Sequence, residues 1–302
     1  MRVTSTGGTL VLFPGALGDF VCFLPALAAI ADEAPAPVVV ACRRELEPLV
    51  HLCGRAEWMS IDGREASWLF SPEPPREAAE FYGEFARVES FTGARDPDVA
   101  RNLGRWVGLR GRVHAFRPER PVHVSLHWLR AVGVSCAEPP EFRLDLGLAE
   151  RSALEPMLLV VHPGSGGSHK RWSRSGFAAA AREWTEKGGT STVLLGPAES
   201  DEKHWWQSQS VSVVDTPPII DLVRILSGAG LYLGNDSGVT HLAAVSGSPG
   251  IALFGPTDAR LWKPLSSRLR ALPIEPWTPL DESPSAHDLD VVLRELAAAA
   301  ST

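Results

Sequence analysis

LYLGNDSGVTHLAAVSGSPGIALFGPTDARLW, residues 231–262, decides the fold. Residues 231–233 form a short apolar run with strand character, and Gly234-Asn235-Asp236-Ser237-Gly238 is a turn of small and polar residues. His241 then falls in a helix, and residues 251–254 form a second apolar strand. Strand, helix, strand in that order is a βαβ unit with parallel strands. The turn that opens the helix admits two readings. A helix N-terminus presents unpaired backbone N–H groups and the positive end of the helix dipole, which together stabilise a bound phosphate. Asp236 or Ser237 is also what an ordinary N-cap looks like.

The residues just upstream follow the same alternation. An apolar strand at 157–161 runs into His162-Pro163-Gly164-Ser165-Gly166-Gly167-Ser168-His169-Lys170-Arg171-Trp172. A helix at 177–187 closes on Gly188-Gly189, a strand follows at 191–195, and Gly196-Pro197-Ala198-Glu199 leads into another helix. A strand at 211–214 and a helix at 220–227 complete the approach to the opening stretch. The loop from Gly164 to Lys170 carries three glycines and a lysine directly after a strand. Glycines let backbone N–H groups approach an anion, and a lysine supplies a point charge, so the loop reads either as a phosphate site or as a mobile surface loop. It is not a Walker A sequence, because the GK[ST] ending is absent.

The N-terminal half starts in the same way. Residues 9–13 form an apolar run, Pro14 to Asp19 a tight turn, and 20–32 a helix. Pro14, Gly15, Gly18, Asp19 and Pro25 interrupt the apolar tract at 10–31, which argues against a membrane span or a signal peptide. Strands are expected at 38–42, 57–61 and 88–91, and helices at 44–53, 76–85, 96–103 and 123–132. Asp19 reads either as a general base adjusted by burial or as a helix cap. Glu138-Pro139-Pro140 opens a linker, giving domains at 1–150 and 151–302.

At 302 residues, 44% hydrophobic and 22% charged, the chain is an ordinary globular protein long enough for two domains. A formal charge of −7 argues against a nucleic-acid-binding surface. Cys22, Cys42, Cys53 and Cys136 lack CxxC spacing, so neither a zinc site nor a disulfide framework is expected, and a reducing cytoplasm fits. The ten tryptophans are scattered, as core packing would have them. Several arginines between 71 and 120, including those at 76, 87, 95, 101, 105, 110, 112 and 117, are interspersed with acidic residues and read as a solvated mixed-charge surface rather than a grip on an acidic acceptor.

Four motifs in order, GALGDFVCFLPAL at 15–27, HPGSGGSHKRW at 162–172, LLGPAE at 194–199 and GNDSGVTHLAA with IALFGPT at 234–257, together resemble glycosyltransferase family 9, the ADP-heptose:lipopolysaccharide heptosyltransferases and their relatives. The resemblance covers the first thirty or so residues and most of the second half; residues from about 55 to 150 match nothing nameable. It implies an α/β protein of GT-B architecture: two Rossmann-like doubly wound domains facing a central cleft, the first for acceptor and the second for nucleotide-sugar donor. It implies Asp19 as the base that deprotonates the acceptor hydroxyl and Lys170 as the group that holds the donor diphosphate, with Ser165 and Gly166 beside it. Glu199 is implied at the nucleoside, and Asp236, Ser237, Gly238 and His241 in the donor-site motif.

The implied activity is inverting, metal-independent transfer of a sugar, heptose on an ADP-linked donor, to a saccharide or lipid-linked saccharide acceptor such as a lipopolysaccharide core. No cofactor and no metal are expected, and no nucleic-acid partner. The location implied is cytoplasmic, extending to peripheral contact with the inner membrane surface. Two other readings stay open: a non-catalytic nucleotide- or sugar-binding protein of the same fold, and a GT-B nucleotide-sugar epimerase.

Overall fold

The structure, a computed structural model, describes residues 7–34, 37–54, 56–147 and 152–300. Two compact units divide the chain, Met1–Pro139 and Pro140–Thr302. The boundary expected near residue 150 lies outside the described residues. The division comes earlier because the chain after Pro140 already belongs to the second unit: the N–H groups of Phe142 and Leu144 donate to the carbonyls of Leu265 and Val245 at 2.9 and 2.8 Å.

Among the described residues the first unit holds five parallel strands, β1 (Thr9–Leu12), β2 (Val38–Cys42), β3 (Ala56–Ser60), β4 (Arg87–Ser90) and β5 (Gly111–Val113), in the order β3-β2-β1-β4-β5. Its helices are α1 (Leu17–Glu33), α2 (Glu47–Leu52), α3 (Arg64–Ser67), α4 (Arg76–Gly83), α5 (Pro97–Trp106) and α6 (Val124–Ala131). Every residue of β1 and β2 is buried, as expected of parallel strands covered on both faces, and this is why TLVL and VVVAC show no alternation. One core forms where Leu10, Leu12, Val39 and Val88 meet Tyr82, Phe85 and Leu103.

Among the described residues six parallel strands make the sheet of the second unit: β6 (Glu155–His162), β7 (Thr190–Leu195), β8 (Ser212–Asp215), β9 (Ala229–Asn235), β10 (Gly250–Phe254) and β11 (Leu269–Pro273), in the order β11-β10-β9-β6-β7-β8. Around it lie α7 (Arg174–Glu186), α8 (Lys203–Ser208), α9 (Ile219–Gly228), α10 (Gly238–Ser246), α11 (Ala259–Trp262) and α12 (Ala286–Ala300). The helix expected directly after Gly196 begins instead as a 3-10 turn, Pro197–Glu202, and only then becomes α8. α3 and β5 in the first unit and α11, β11 and α12 in the second went unread in the sequence. β11 completes the sheet, and α12 starts where Ser285 Oγ accepts the Asp288 N–H at 3.1 Å, burying Val292 and Leu296 in the core with Trp172 and Phe177.

Both sheets reverse their direction of growth once. In the first, β2 and β3 build out on one side of β1 and β4 and β5 on the other; in the second, β7 and β8 lie on one side of β6 and β9 to β11 on the other. At such a reversal the loops leaving two adjacent strands diverge and open a crevice at the carboxyl edge, where open α/β sheets bind ligands. The crevices therefore fall between β1 and β4 and between β6 and β9. Trp128, Trp172 and Trp206 are fully buried and the other seven tryptophans partly so. Among the described residues no helix is long and apolar enough to cross a membrane, and the four cysteines are free.

Candidate functional site

In the second unit, β6 and β9 run side by side with His162 opposite Gly234, so their C-terminal loops meet. These loops are the two motifs that the sequence places 72 residues apart. Their junction is organised by Asn235, which is fully buried. Its side chain donates to the Pro163 carbonyl at 2.8 Å and accepts the Trp172 N–H at 3.0 Å, tying the end of β9 to both ends of the 163–172 loop. The hydrogen-bonding needs of a buried amide make this a rigid joint. Asn235 was overlooked in the sequence, although it sits inside the motif as the last residue of a buried strand.

Asp236 follows, and its carboxylate gathers the side chains of Lys170 and His241. Lys170 Nζ reaches Asp236 Oδ2 at 3.1 Å, and His241 Nε2 lies 3.7 Å from Asp236 Oδ1. Burial opposes ionisation of Asp236, but His241 and Lys170 outweigh it and hold the carboxyl at about 2. Ser165 Oγ donates to the Asp236 carbonyl at 2.9 Å. Ser237 is the N-cap of α10: its hydroxyl accepts the Thr240 N–H at 3.3 Å. The cap reading of Ser237 thus holds, and it leaves Gly238 as the first residue of the helix. Asp236 does not cap; it faces Lys170.

Glu199 enters from the neighbouring loop. It is buried, and its Oε2 accepts the Gly196 N–H at 3.1 Å. A Cβ added to Gly164 would stand 2.5 Å from that oxygen, so the absence of a side chain at 164 makes room for the carboxylate. Gly166, by contrast, is exposed with open space around its Cα. Beneath the loop, Arg171 and Glu202 form a buried ion pair at 2.5 Å, and Arg171 Nε donates to the Pro163 carbonyl at 3.3 Å. Nothing in the sequence pointed to that pair, whose members are 31 residues apart. His162 is buried, its Nδ1–H donating to the Leu194 carbonyl at 3.0 Å, and burial pushes its pKa down to about 4. It is a neutral strut under the loop. His169 is exposed.

Asp19 belongs to the first unit. It is the third residue of α1, whose N-cap is Ala16 with no side-chain cap bond, so Asp19 is not a cap. Its two oxygens take a fork from Arg117: Nη1 to Oδ1 at 2.6 Å and Nη2 to Oδ2 at 3.0 Å. Beside it, at the carboxyl edge of β1, β4 and β5, a cavity of about 760 Å³ is lined by Pro14, Phe91, Arg95, Phe116 and Arg117 among others. Of the arginine tract, Arg76, Arg87, Arg101 and Arg112 pair with acidic neighbours, as a mixed-charge surface would. Arg117 is the departure from that reading, 98 residues from its partner.

Ser165, Lys170, Asp236, Ser237, Gly238 and His241 are thus brought together in one crevice, with Glu199 at its side, while Asp19 stands at the corresponding edge of the other sheet. Among the described residues no three His, Cys, Asp or Glu side chains gather into a metal site. One crevice offers a cation, a capped helix start and a carboxylate; the other offers a carboxylate beside a cavity.

Comparison with known proteins connects this geometry to a family. Residues 131–284, just over half of the chain, match the family profile described as glycosyltransferase family 9 (heptosyltransferase). A lipopolysaccharide heptosyltransferase 3 from Escherichia coli is 27% identical over 120 residues, covering 37% of this chain and 35% of that protein. The match therefore spans about a third of that relative's length. The fold is similar to that of E. coli ADP-heptose lipopolysaccharide heptosyltransferase II, with a TM-score of 0.74 at 17% identity over 97% of this chain and 98% of the other. It is also similar to a glycosyl transferase family 9 protein from Veillonella parvula, with a TM-score of 0.70 at 17% identity over 88% and 85% of the two chains. The fold class is accordingly the α/β, GT-B class.

Proposed function

The chain belongs to glycosyltransferase family 9, and from that premise we propose that it transfers a sugar from a nucleotide-sugar donor to a saccharide acceptor with inversion and without a metal. The observation that carries the reading is the crevice of the second unit, where Lys170, Asp236 and the start of α10 converge from two distant motifs. A nucleotide-sugar brings a diphosphate. The Nζ of Lys170 and the amides at Gly238 and Val239 present positive charge on that scale, and the α10 dipole adds to it. Asp236 keeps the Lys170 ammonium aimed before the donor arrives.

The chemistry follows from where charge moves. As the bond from the anomeric carbon to the departing phosphate lengthens, the sugar takes on oxocarbenium character and negative charge accumulates on the nucleotide. Lys170 and the helix start meet that charge, and preorganised donors of this kind supply a large share of catalysis, about 100- to 1000-fold for a single group. Asp19 takes the proton of the acceptor hydroxyl, which attacks the face opposite the leaving group and so inverts the centre. The cavity beside Asp19 receives the acceptor. Glu199, poised at the next loop, suits a nucleoside hydroxyl as hydrogen-bond donor to its carboxylate.

The finer identity of the substrates follows the relatives, whose names specify ADP-heptose and lipopolysaccharide. On that basis the donor is an ADP-linked heptose and the acceptor a lipopolysaccharide core or another lipid-linked saccharide, with the enzyme working in the cytoplasm at the inner membrane surface. Thermal shift against ADP, ADP-heptose, UDP- and GDP-sugars tests the donor side, because a ligand bound only by the folded state raises apparent stability. ADP and ADP-heptose are expected to raise the melting temperature of the wild type, and Lys170→Ala to lose most of that rise. No shift with any nucleotide would refute the donor site.

A further inference from the structure

We infer that Arg117 is a positioning residue for transfer, acting on the reaction through Asp19; the inference rests on the reading of Asp19 as the base. Its guanidinium places one N–H on each carboxylate oxygen, at 2.6 and 3.0 Å. Two parallel bonds of this kind fix the plane of the carboxylate as well as its distance, which one donor cannot do. A carboxylate on the first turn of a helix would otherwise swing about its side-chain torsions.

Arg117 can set that plane because it is itself held. Its guanidinium lies 4.5 Å over the centre of the Phe116 ring. Phe116 in turn meets Phe13 at 5.5 Å edge to face and Trp128 at 5.8 Å, and Trp128 Nε1 donates to the Phe116 carbonyl at 3.1 Å. Phe13 is the residue that carries β1 into the turn before α1, so both ends of the ion pair hang from one aromatic cluster, in which Phe13 and Trp128 are fully buried and Phe116 partly so. The Asp19 side chain is 14% exposed and that of Arg117 50%, and Arg117 lines the cavity that the acceptor is proposed to fill. The fork does not block the base. An ionised carboxylate has about four lone-pair sites and Arg117 takes two, leaving Asp19 able to accept a hydroxyl proton. Asp19 alone supplies the base, and Arg117 decides where that base points.

A double-mutant cycle distinguishes this role from a structural one. Wild type, Asp19→Asn, Arg117→Gln, Arg117→Lys and the Asp19→Asn/Arg117→Gln double variant are assayed with ADP-heptose and heptose-deficient lipopolysaccharide, with ADP thermal shift as a control of folding and donor binding. Arg117→Gln is expected to lower kcat about 10- to 100-fold, the scale on which misplacing a reacting group acts, with the KM for ADP-heptose and the ADP shift unchanged. Arg117→Lys restores little, since one ammonium cannot hold both oxygens. On the residual turnover of Asp19→Asn, read with high enzyme and long incubation, Arg117→Gln costs nothing further. Wild-type kcat in Arg117→Gln while Asp19→Asn keeps only residual turnover overturns the inference alone, as does an equal fold-loss in both backgrounds. Turnover by Asp19→Asn at the wild-type rate overturns the reading of the base, and a wild type that transfers nothing overturns both.

Discussion

Asp236 shows how little of a residue's role is carried by its place in a motif. In the sequence it is one letter of a donor-site pattern; in the fold it is the anion that holds Lys170 and faces His241, kept ionised to about pH 2. Arg117 shows the converse, a residue that no motif singles out and that reaches Asp19 across 98 positions. His162 makes a measurable prediction. Its folded pKa of about 4 lies below the 6.5 of an unperturbed histidine, so as pH falls through that interval the unfolded chain binds a proton that the folded chain refuses. Stability is full above 6.5 and is lost progressively down to 4, by about 3 kcal/mol at about 1.4 kcal/mol per pH unit. Asp236 adds a second loss at lower pH, between 3.8 and about 2, because its folded pKa is also depressed. Urea midpoints measured from pH 7.5 to 4 should therefore hold level down to about 6.5 and then fall in the wild type, and fall much less in His162→Gln. An equally steep fall in the variant would place the acid-sensitive group elsewhere.

At the scale of elements, the βαβ unit at 229–254 was legible because each of its signals is local. Apolar runs mark β9 and β10, Ser237 caps α10, and Gly247 ends it in the left-handed region at φ 95°. Asp19 was harder to read, since an aspartate just past a turn is a cap or a first-turn residue according to where the helix starts. α1 starts at Leu17, three residues before the expected position, and that decides the matter. The two ends of α10 should respond differently to substitution. Ser237→Ala removes the cap and is expected to cost about 1 kcal/mol, and, because it lies where the phosphate is proposed to bind, to weaken ADP binding too. Gly247→Ala is expected to cost about 1–2 kcal/mol through left-handed strain while leaving ADP binding intact, being at the far end of the helix. Urea unfolding gives the first quantity and thermal shift with ADP the second; a Gly247→Ala variant that also lost ADP would contradict this division.

For the whole molecule the decisive quantity is strand order. Each unit has its own sheet and its own buried cluster, so residues 140–302 expressed alone should unfold cooperatively and still gain thermal stability from ADP. A fragment that melts without cooperativity would show that the second unit depends on the first. By itself the sequence determined the alternation of strands and helices, the parallel character of both sheets and the four motifs of the family, because hydrophobic periodicity, turn residues and helix caps act over a few neighbours. It did not determine that β9 lies against β6 rather than at an edge, and so could not say that Lys170 meets Asp236, that Asn235 ties Pro163 to Trp172, or that Arg117 grips Asp19. Those contacts join residues 63 to 98 positions apart. They exist because each sheet reverses its growth beside its first strand, and only the closed packing of all strands and helices selects that order.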